Sequence, residues 1–424
     1  MSFMETRPIP QVRPLESVPV EDGSEQLVVL RDPYRFQPNA FTLSLPTYLL
    51  LTLFNGERTA DEVRKAFKAR YYAEVSVEEI DRFAAELDEL GFLFTERFEE
   101  MRRQSLAEFQ ESPCRKPAHA GKAYECEPAN LRKQIDGFYD AMRNKIVEQD
   151  TVTALSPASA TGEVQALIVP HIDPRVGGCT SAFAFSALRT NSEPPDLFVI
   201  FGTAHQPGHS LFALTGKDFE TPFGMAETDR AIIQTLRDAY PFDLEGEEYL
   251  HKHEHSIEFP LIFLQHLYPN HPFKILPILT GSFYEFLESA GLPDDDEAFA
   301  AFPRALRKAL ETSGQRVCFV AGADMSHIGA KFGDEEPITE ELLAQARADD
   351  LAMLKLMESG NPEGFFRFLQ ESGDKQKVCG LPPIYTMMRS MQPGCTGRLL
   401  DYDLNLETPT QSFVTFASMG FYGQ

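Results

Sequence analysis

Several features of membrane and secreted proteins are absent from this sequence of 424 residues. No apolar stretch approaches the roughly 20 residues that a membrane-spanning helix needs. The N-terminal residues lack the apolar core of a secretory signal, and the chain contains no tryptophan. We therefore expect neither secretion nor a membrane partner.

Basic residues are scarce relative to acidic ones. The 39 lysines and arginines compare with 64 aspartates and glutamates, which gives a formal net charge of -25. An acidic surface is repelled by the phosphate backbone of nucleic acids and by anionic membranes. The composition therefore predicts a protein that binds no nucleic acid.

Cysteines are few, and none of them forms a CxxC pair. The six lie at positions 114, 126, 179, 318, 379 and 395. Scattered cysteines in a long chain without a secretory signal indicate reduced thiols and not a disulfide framework. We therefore expect a cytoplasmic protein.

The remaining composition is that of a folded protein, with 43% hydrophobic and 24% charged residues. The length predicts two or three domains. Changes of pattern along the chain predict a disordered lead-in over residues 1–26, a small domain over 27–100, a linker over 101–117 and a larger domain over 118–424.

The small domain shows two clear helix starts. Thr59 precedes an amphipathic segment as a candidate N-cap, and Ser76 with Glu79 has the spacing of a capping box. A helix precedes these two, and after Gly91 the segment FLFTERF is expected to return as a strand. Three helices followed by a strand indicate a small winged-helix unit.

The larger domain alternates short apolar runs with helical patterns. Apolar runs cover residues 166–170, 196–203, 273–279, 317–324 and 412–421. Helical patterns cover residues 131–144, 257–267, 299–311, 338–357 and 362–370. Continuous apolar strands separated by helices predict an α/β fold whose sheet is covered on both faces.

Three of the apolar strands end in polar residues that can bind metal or move protons. The first ends at His171, the second at His205, and the third at Asp324 with His327 just beyond. Ligands of open α/β sheets bind outside the carboxyl ends of the strands. We therefore expect these four side chains to share one crevice, although any one of them alone is more often a hydrogen-bonded strand end.

A second cluster lies in the segment HKHEHSIEFPLIFLQHLYP, whose polar members are His251, His253, Glu254, His255 and Glu258. Glu254 and Glu258 would share a face if the segment opens a helix. The alternative is an ordinary polar helix start with Ser256 as its cap. The spacing is not HExxH, so a thermolysin-type zinc site is not supported.

Cys379 lies in a Cys-Gly-Leu-Pro-Pro turn before an apolar helix. The positive end of a helix dipole lowers the pKa of a thiol and favours the thiolate. A thiolate binds iron, copper or zinc, but a lone cysteine at a helix start is more often structural.

Seven of these segments together resemble the Memo family, called AmmeMemoRadiSam system protein B in bacteria. They occur in the family's order over residues 118–424 and are HAGKAYECEPANLRKQIDGFY, ALIVPHIDPRVGGCTSAFAFSAL, FVIFGTAHQPG, HEHSIEFPLIFLQ, KILPILTG, VAGADMSHIG and VCGLPPIY. The resemblance implies an α/β sandwich like that of class III extradiol dioxygenases. It also implies one mononuclear metal site.

By this resemblance the metal ligands are His171, His205 and Cys379. Glu258 competes with Cys379 for the third position, since two histidines and a carboxylate are the usual iron(II) face. We favour Cys379 because its turn before a helix suits a thiolate, and because the family motif points to it. The sequence departs from the family's PHAGY motif with PHIDPRVGG, which brings Asp173 and Arg175 near the site.

The resemblance also implies residues that surround the metal. Asp324 and His327 match the family's acid/base pair, with His327 as general acid or base oriented by Asp324. His255 and Glu258 match a further polar motif that lines the site. All four are predicted catalytic residues.

The small domain resembles PqqD-like winged-helix domains, on the segments LFNGERTADEV and ELDELGFL. Such domains bind peptides by adding a strand to a sheet edge. The family's system implies a radical SAM protein and an AMMECR-type protein as partners. The substrate, a small molecule or a peptide, is not identified by the sequence.

Three functions are consistent with these residues. The first is a non-haem metal oxygenase or redox enzyme with iron(II) as its cofactor. The second is a copper- or iron-binding redox or signalling protein without turnover, since a family fold does not establish activity. The third is a zinc hydrolase, in which the metal lowers the pKa of bound water.

Overall fold

The computed structural model describes residues 7–22, 25–148 and 162–423, and the chain divides into two units. The first unit runs to Ser112 and includes residues 408–410. The second runs from Pro113 to the C-terminus apart from those three residues. Within the described ranges, no helix is long and apolar enough to cross a membrane.

The first unit contains a three-stranded antiparallel sheet followed by helices. Its strands are β1 (Glu16–Asp22), β2 (Glu25–Arg31) and β3 (Phe41–Ser44), in the order β1-β2-β3. Its helices are α1 (Leu45–Leu51), α2 (Ala60–Tyr71), α3 (Val77–Glu89) and α4 (Glu96–Glu111). The predicted helix starts are confirmed, because Thr59 and Ser76 each form a capping box at the head of α2 and α3.

The prediction of a disordered lead-in over residues 1–26 is wrong for the residues that the structure describes. Ile9 is buried, and β1 pairs along its whole length with β2. Arg13 is also buried, where its guanidinium donates to both carboxylate oxygens of Asp32 at 2.9 and 3.2 Å. Residues 1–6, 23 and 24 lie outside the described part.

The two segments that follow α3 also differ from the prediction. FLFTERF forms no strand beyond one bridge between Leu93 and Val12, since α4 already begins at Glu96. The predicted linker over residues 101–117 is mostly ordered structure. Its first part belongs to α4, which buries Phe98 and Phe109, and its last part contains a short strand.

The second unit has eleven strands and nine helices in its described residues. The strands are β4 (Cys114–Arg115), β5 (Val164–Val169), β6 (Leu197–Thr203), β7 (Phe212–Leu214), β8 (Asp218–Thr221), β9 (Gly224–Thr228), β10 (Lys274–Thr280), β11 (Val317–Gly322), β12 (His327–Gly329), β13 (Thr396–Glu407) and β14 (Ser412–Tyr422). The helices are α5 (Pro128–Glu148), α6 (Pro174–Ala187), α7 (Arg230–Ala239), α8 (Glu258–Leu267), α9 (Tyr284–Glu288), α10 (Glu297–Ser313), α11 (Glu340–Glu358), α12 (Pro362–Ser372) and α13 (Leu381–Ser390).

All eleven strands join one sheet, whose main path is β12-β14-β5-β11-β6-β10-β9-β8-β4. The central strands β5, β11, β6 and β10 are parallel. Alternate residues of each strand enter different cores. Ala166 and Ile168 of β5 pack in one core, and Leu167 and Val169 pack in the other. The predicted α/β fold with a doubly covered sheet is therefore confirmed.

The short strand β4, at the start of the second unit, contributes a buried residue to the interior of that unit. Arg115 is fully buried and forms an ion pair with Glu258 at the first residue of α8. A buried charge that loses its partner destabilises a protein by about 3–5 kcal/mol. The boundary of the second unit is therefore set by Arg115 and not by residue 118.

We predict that a fragment of residues 113–424 unfolds in urea at a clearly higher concentration than a fragment of residues 118–424. The shorter fragment leaves Glu258 buried without its arginine, which should cost about 3–5 kcal/mol of unfolding free energy. Equilibrium unfolding followed by circular dichroism measures the difference. Equal midpoints for the two fragments would contradict this role of Arg115.

Candidate metal centre

The three strands that end in polar residues are neighbours in the sheet. Strand β11 lies between β5 and β6, and Gly322 at its end pairs with Val169. His171 follows β5, His205 follows β6 and Asp324 follows β11. Because the three strands are parallel, their carboxyl ends meet at one edge. The structure thus brings the predicted strand-end residues together.

Cys379 reaches the same place from a distant part of the chain. Its Sγ lies 3.2 Å from Nε2 of His171 and 3.9 Å from the carbonyl oxygen of Asp324. The next residue, Gly380, donates its N–H to the carbonyl of Asp324 at 3.2 Å. A Cβ at position 380 would lie 2.5 Å from that oxygen, so only glycine permits this approach.

Each of the two predicted histidine ligands has one ring nitrogen fixed by an acceptor. Nδ1 of His171 donates to the carbonyl of Gly322 at 2.8 Å. Nδ1 of His205 donates to the carboxylate of Glu254, with both oxygens 3.1 Å away. A hydrogen bond at Nδ1 fixes the tautomer and leaves the lone pair of Nε2 for a metal. Both imidazoles are therefore oriented as metal ligands usually are.

Glu254 organises the turn that precedes α8. Its carboxylate accepts the backbone N–H groups of His205, His255 and Ser256 at 2.7 to 3.1 Å. It also lies 3.2 Å from Nδ1 of His255, whose other nitrogen remains for ligation. The ligand atoms of His171, His205 and His255 all lie within 4.8 Å of one another. His255 is therefore a third histidine that lies next to the two predicted ligands, His171 and His205.

The other predicted pair lies against the same cysteine. His327 donates from Nδ1 to the carbonyl of Met325 at 3.0 Å. Asp324 is buried, accepts the backbone N–H of His171 at 3.1 Å and lies 3.6 Å from that residue's Nε2. Burial raises the pKa of the Asp324 carboxyl. His327 and Asp324 thus border the centre, as the sequence analysis expected.

The charges favour the ligand form of Cys379. Burial raises the pKa of its thiol, but the imidazoles of His171 and His327 lower that pKa well below its ordinary value. Burial lowers the pKa of His171, yet the negative groups of Cys379 and Asp324 raise it to about 9. For His255, burial holds the pKa well below its ordinary value. A thiolate and a neutral imidazole are the forms that bind metal ions, so Cys379 and His255 are in the ligand form, whereas His171 must release a proton when a metal binds its Nε2.

The structure places Glu258 elsewhere, so its predicted role beside the metal is corrected. The fully buried carboxylate accepts from Arg115, from the Tyr124 hydroxyl at 2.5 Å, and from the backbone N–H groups of Ala118 and His119 at 3.0 Å each. Four donors occupy its two oxygens. Glu258 therefore anchors the start of α8.

The reason for this error lies in where α8 begins. Glu254 and Glu258 would share a helical face only if the helix opened before Glu254, but it starts at Glu258. Ser256 is not its cap, since the Ser256 hydroxyl donates to the carbonyl of Thr203 at 3.1 Å. Glu254 received no role from the sequence. The sequence did contain a signal for Glu254: a carboxylate commonly accepts a hydrogen bond from a metal-ligating imidazole, and Glu254 lies next to a histidine in the sequence.

Asp173 and Arg175 also lie outside the ligand cluster. Asp173 caps α6 by accepting the backbone N–H of Arg175 at 2.9 Å, and the two side chains form an ion pair. The residues that depart from the family motif therefore cap the N-terminus of α6.

The spacing of Cys379 and His171 fits a shared metal ion. Metal bonds of about 2.0–2.3 Å to imidazole and thiolate place two ligand atoms roughly 3.3–3.7 Å apart. The 3.2 Å between Cys379 Sγ and His171 Nε2 is close to that range. The three-histidine group is looser, with atoms up to 4.8 Å apart. The donor set of imidazoles and a thiolate suits iron, copper or zinc.

A cavity of about 290 Å³ opens beside these donors. His205 and Cys379 line it, and Phe283, Leu381 and Pro382 supply apolar wall. The side chain of His205 is 35% exposed, so the centre is reached from solvent. This volume suits a small molecule.

Comparison with known proteins gives matches over most of the chain. The sequence model of a family described as "Memo-like protein" matches residues 115–420. A "MEMO1 family protein" of Aquifex aeolicus (strain VF5) is 29% identical over 416 residues, covering 97% of this chain and all of the relative. "MEMO1 family protein TTHA0924" of Thermus thermophilus is 29% identical over 358 residues, covering 84% of this chain and 97% of the relative.

A solved structure, an uncharacterized protein from Escherichia coli K12, aligns with a TM-score of 0.36 and 14% identity. It covers 61% of this chain and 99% of that chain, and is too distant to inform the fold. The family match, by contrast, contains every residue of the candidate metal centre. It begins after the first unit, so the PqqD-like resemblance stays a prediction.

We predict that His171→Ala and His205→Ala each lose most of the bound metal. Each variant removes one ligand bond, whereas Asp324→Asn removes only a neighbouring charge and should keep the metal. The number of metal ions per chain, measured by inductively coupled plasma mass spectrometry, tests this prediction. His271→Ala is the matched control, because His271 binds the carbonyl of Pro195 and not this centre. Full metal content in both ligand variants would refute the strand-end site.

We predict a different pair of results for the third ligand. Cobalt-substituted protein should show sulfur-to-metal charge transfer, which Cys379→Ser should abolish together with a loss of affinity. Glu258→Gln should keep the band, since Glu258 binds Arg115 and not the centre. An unchanged band in Cys379→Ser, or its loss in Glu258→Gln, would reverse the assignment.

Proposed function

Because the chain belongs to the Memo-like protein family, we propose that it is a mononuclear metal enzyme of the oxygenase or redox type. His171, His205 and Cys379 are the proposed ligands, and iron(II) is the proposed metal. The observation that carries this proposal is the 3.2 Å contact between Cys379 Sγ and His171 Nε2. A thiolate and an imidazole at that distance, each held by its own loop, suit one shared ion.

Three protein ligands leave coordination positions free for a small molecule. Bound iron(II) with such positions supplies the redox chemistry of dioxygen. The protein's own contribution is orientation and proton transfer. Glu254 holds the His205 imidazole, and Asp324 with the carbonyl of Gly322 holds His171. His327 is the proposed acid or base at its Nε2, because Nδ1 is committed to a carbonyl.

The cavity beside His205 and Cys379 supports a small-molecule substrate more than a peptide. Its volume of about 290 Å³ holds a compact molecule, and the Phe283 and Leu381 side chains favour an apolar part. We propose that the reacting end of the substrate faces Cys379 and that its apolar part contacts these side chains.

Zinc-dependent hydrolysis is the second candidate, favoured by one specific observation. The group of His171, His205 and His255 gives three histidines within 4.8 Å, the donor set of catalytic zinc sites such as that of carbonic anhydrase. The lowered pKa of His255 keeps its imidazole neutral and able to bind. In this alternative His255 replaces Cys379 as third ligand, and the metal activates water.

Partners are proposed on the family resemblance alone. We propose a radical SAM protein and an AMMECR-type protein as partners in the same system. For the first unit we propose peptide binding by strand addition, since β1 and β3 are the outer strands of its sheet.

We predict that protein purified without oxygen contains about one iron per chain and consumes dioxygen when a substrate is supplied. A library of small aromatic and aliphatic compounds, screened with an oxygen electrode, supplies the candidates. Cys379→Ser should lose the activity, while His271→Ala should keep it. Stoichiometric zinc, with ester or amide hydrolysis that survives in Cys379→Ser, would replace this proposal with the hydrolase.

A further inference from the structure

We propose that Arg115 is a positioning residue for the metal centre and acts through the turn that carries Glu254 and His255. The inference rests on the proposed metal centre. It deepens that proposal by assigning a role to a residue that lies between the two predicted domains and outside every motif of the sequence analysis. Arg115 touches none of the proposed ligands directly.

The Arg115 guanidinium is fully buried and directs its donors to three groups. Nε donates to the carbonyl of His251 at 3.0 Å, and Nη2 donates to the carbonyl of Glu254. Nη1 forms the ion pair with Glu258. Two of these three partners are backbone carbonyls of one short turn. The ion pair therefore accounts for only part of what Arg115 does.

Glu254 transmits this constraint to the metal centre because it is held on both sides. Its carbonyl accepts from Arg115, while its carboxylate binds Nδ1 and the backbone N–H of His205. The same carboxylate fixes the backbone of His255. A shift of the turn would move this carboxylate and turn the His205 imidazole away from its ligand orientation.

The residues next to Arg115 support the same turn. His119 donates from Nε2 to the carbonyl of His253 at 3.0 Å, and its ring packs edge-on against His255 with centroids 5.6 Å apart. The carbonyls of His251, His253 and Glu254 are thus all bound by the segment of residues 115–119. Glu258 fixes that segment in turn by accepting the backbone N–H groups of Ala118 and His119. One connected network joins β4, the turn and the start of α8.

The chemistry of arginine makes this role testable. A lysine keeps the positive charge for Glu258 but offers one ammonium in place of a planar fork. Arg115→Lys therefore preserves charge neutralisation and loses simultaneous contact with both carbonyls. If Arg115 only neutralised a buried carboxylate, the lysine variant would leave the metal centre unchanged.

The experiment compares Arg115→Lys with the wild type in full-length protein, using cobalt(II) as the probe. We expect Arg115→Lys to bind cobalt about 10-fold more weakly, in the range typical for groups that orient metal ligands. Its ligand-field bands should shift in the same direction as those of Glu254→Gln, and its sulfur charge-transfer band should remain. The double variant should weaken affinity by less than the product of the two single effects, because both act on the same imidazole.

Arg13→Lys is the matched control. Arg13 is buried in the first unit, where its guanidinium donates to both carboxylate oxygens of Asp32 and to the carbonyl of Gly91, so its replacement tests the loss of a buried arginine away from the metal centre. We expect a lower unfolding midpoint for Arg13→Lys with unchanged cobalt affinity and spectrum. Equal cobalt losses in Arg13→Lys and Arg115→Lys would overturn the proposal.

Two further outcomes decide the remaining cases. Wild-type affinity and spectrum in Arg115→Lys would overturn the positioning role and leave the metal centre standing. Cobalt binding that is unaffected by Cys379→Ser and by His171→Ala would overturn both proposals. If Arg115→Lys does not fold, His119→Ala replaces it, because it keeps the ion pair and removes the contacts of this imidazole with the carbonyl of His253 and with the ring of His255. It should shift the bands in the Glu254→Gln direction, and unchanged bands would again overturn the role.

Discussion

The parallel pairing of β5, β11 and β6 is the constraint on which the metal centre depends. Parallel neighbouring strands end at the same edge of a sheet. Residues that follow these strands therefore lie close together in space, although they are far apart in the sequence. His171, His205 and Asp324 are placed in this way. The loop before α13 then needs only to bring Cys379 to this edge, and Gly380 makes that approach sterically feasible.

The hydrogen bonds that satisfy polar groups near this edge also fix the orientation of the proposed ligands. Burying a hydrogen-bonding group without a partner is costly, so the ring nitrogens of His171 and His205 are tied to a carbonyl and a carboxylate. The carboxylate of Glu254 is held in place by backbone N–H groups, and its carbonyl by Arg115. The same bonds that satisfy buried groups therefore orient the donors of the site.

Much of this could be predicted from the sequence, and the exceptions have a common cause. Apolar runs and capping boxes are local signals, and the strands ending at His171 and His205 were located from them. Glu258 was misassigned and Arg115 overlooked because their ion pair joins residues 143 positions apart, which no local pattern encodes. Strand β13, which pairs with β14 through eleven of its twelve residues, was also missed, since its mixed polar face resembles a loop when its partner is unknown.

The identity of the third ligand separates the oxygenase from the hydrolase. X-ray absorption at the metal edge of the loaded full-length protein tests it most directly, because sulfur and nitrogen neighbours differ in scattering and distance. We predict one sulfur at about 2.3 Å from the metal, together with nitrogen or oxygen neighbours at about 2.0–2.2 Å. A shell of nitrogen and oxygen alone would contradict it and favour His255 over Cys379.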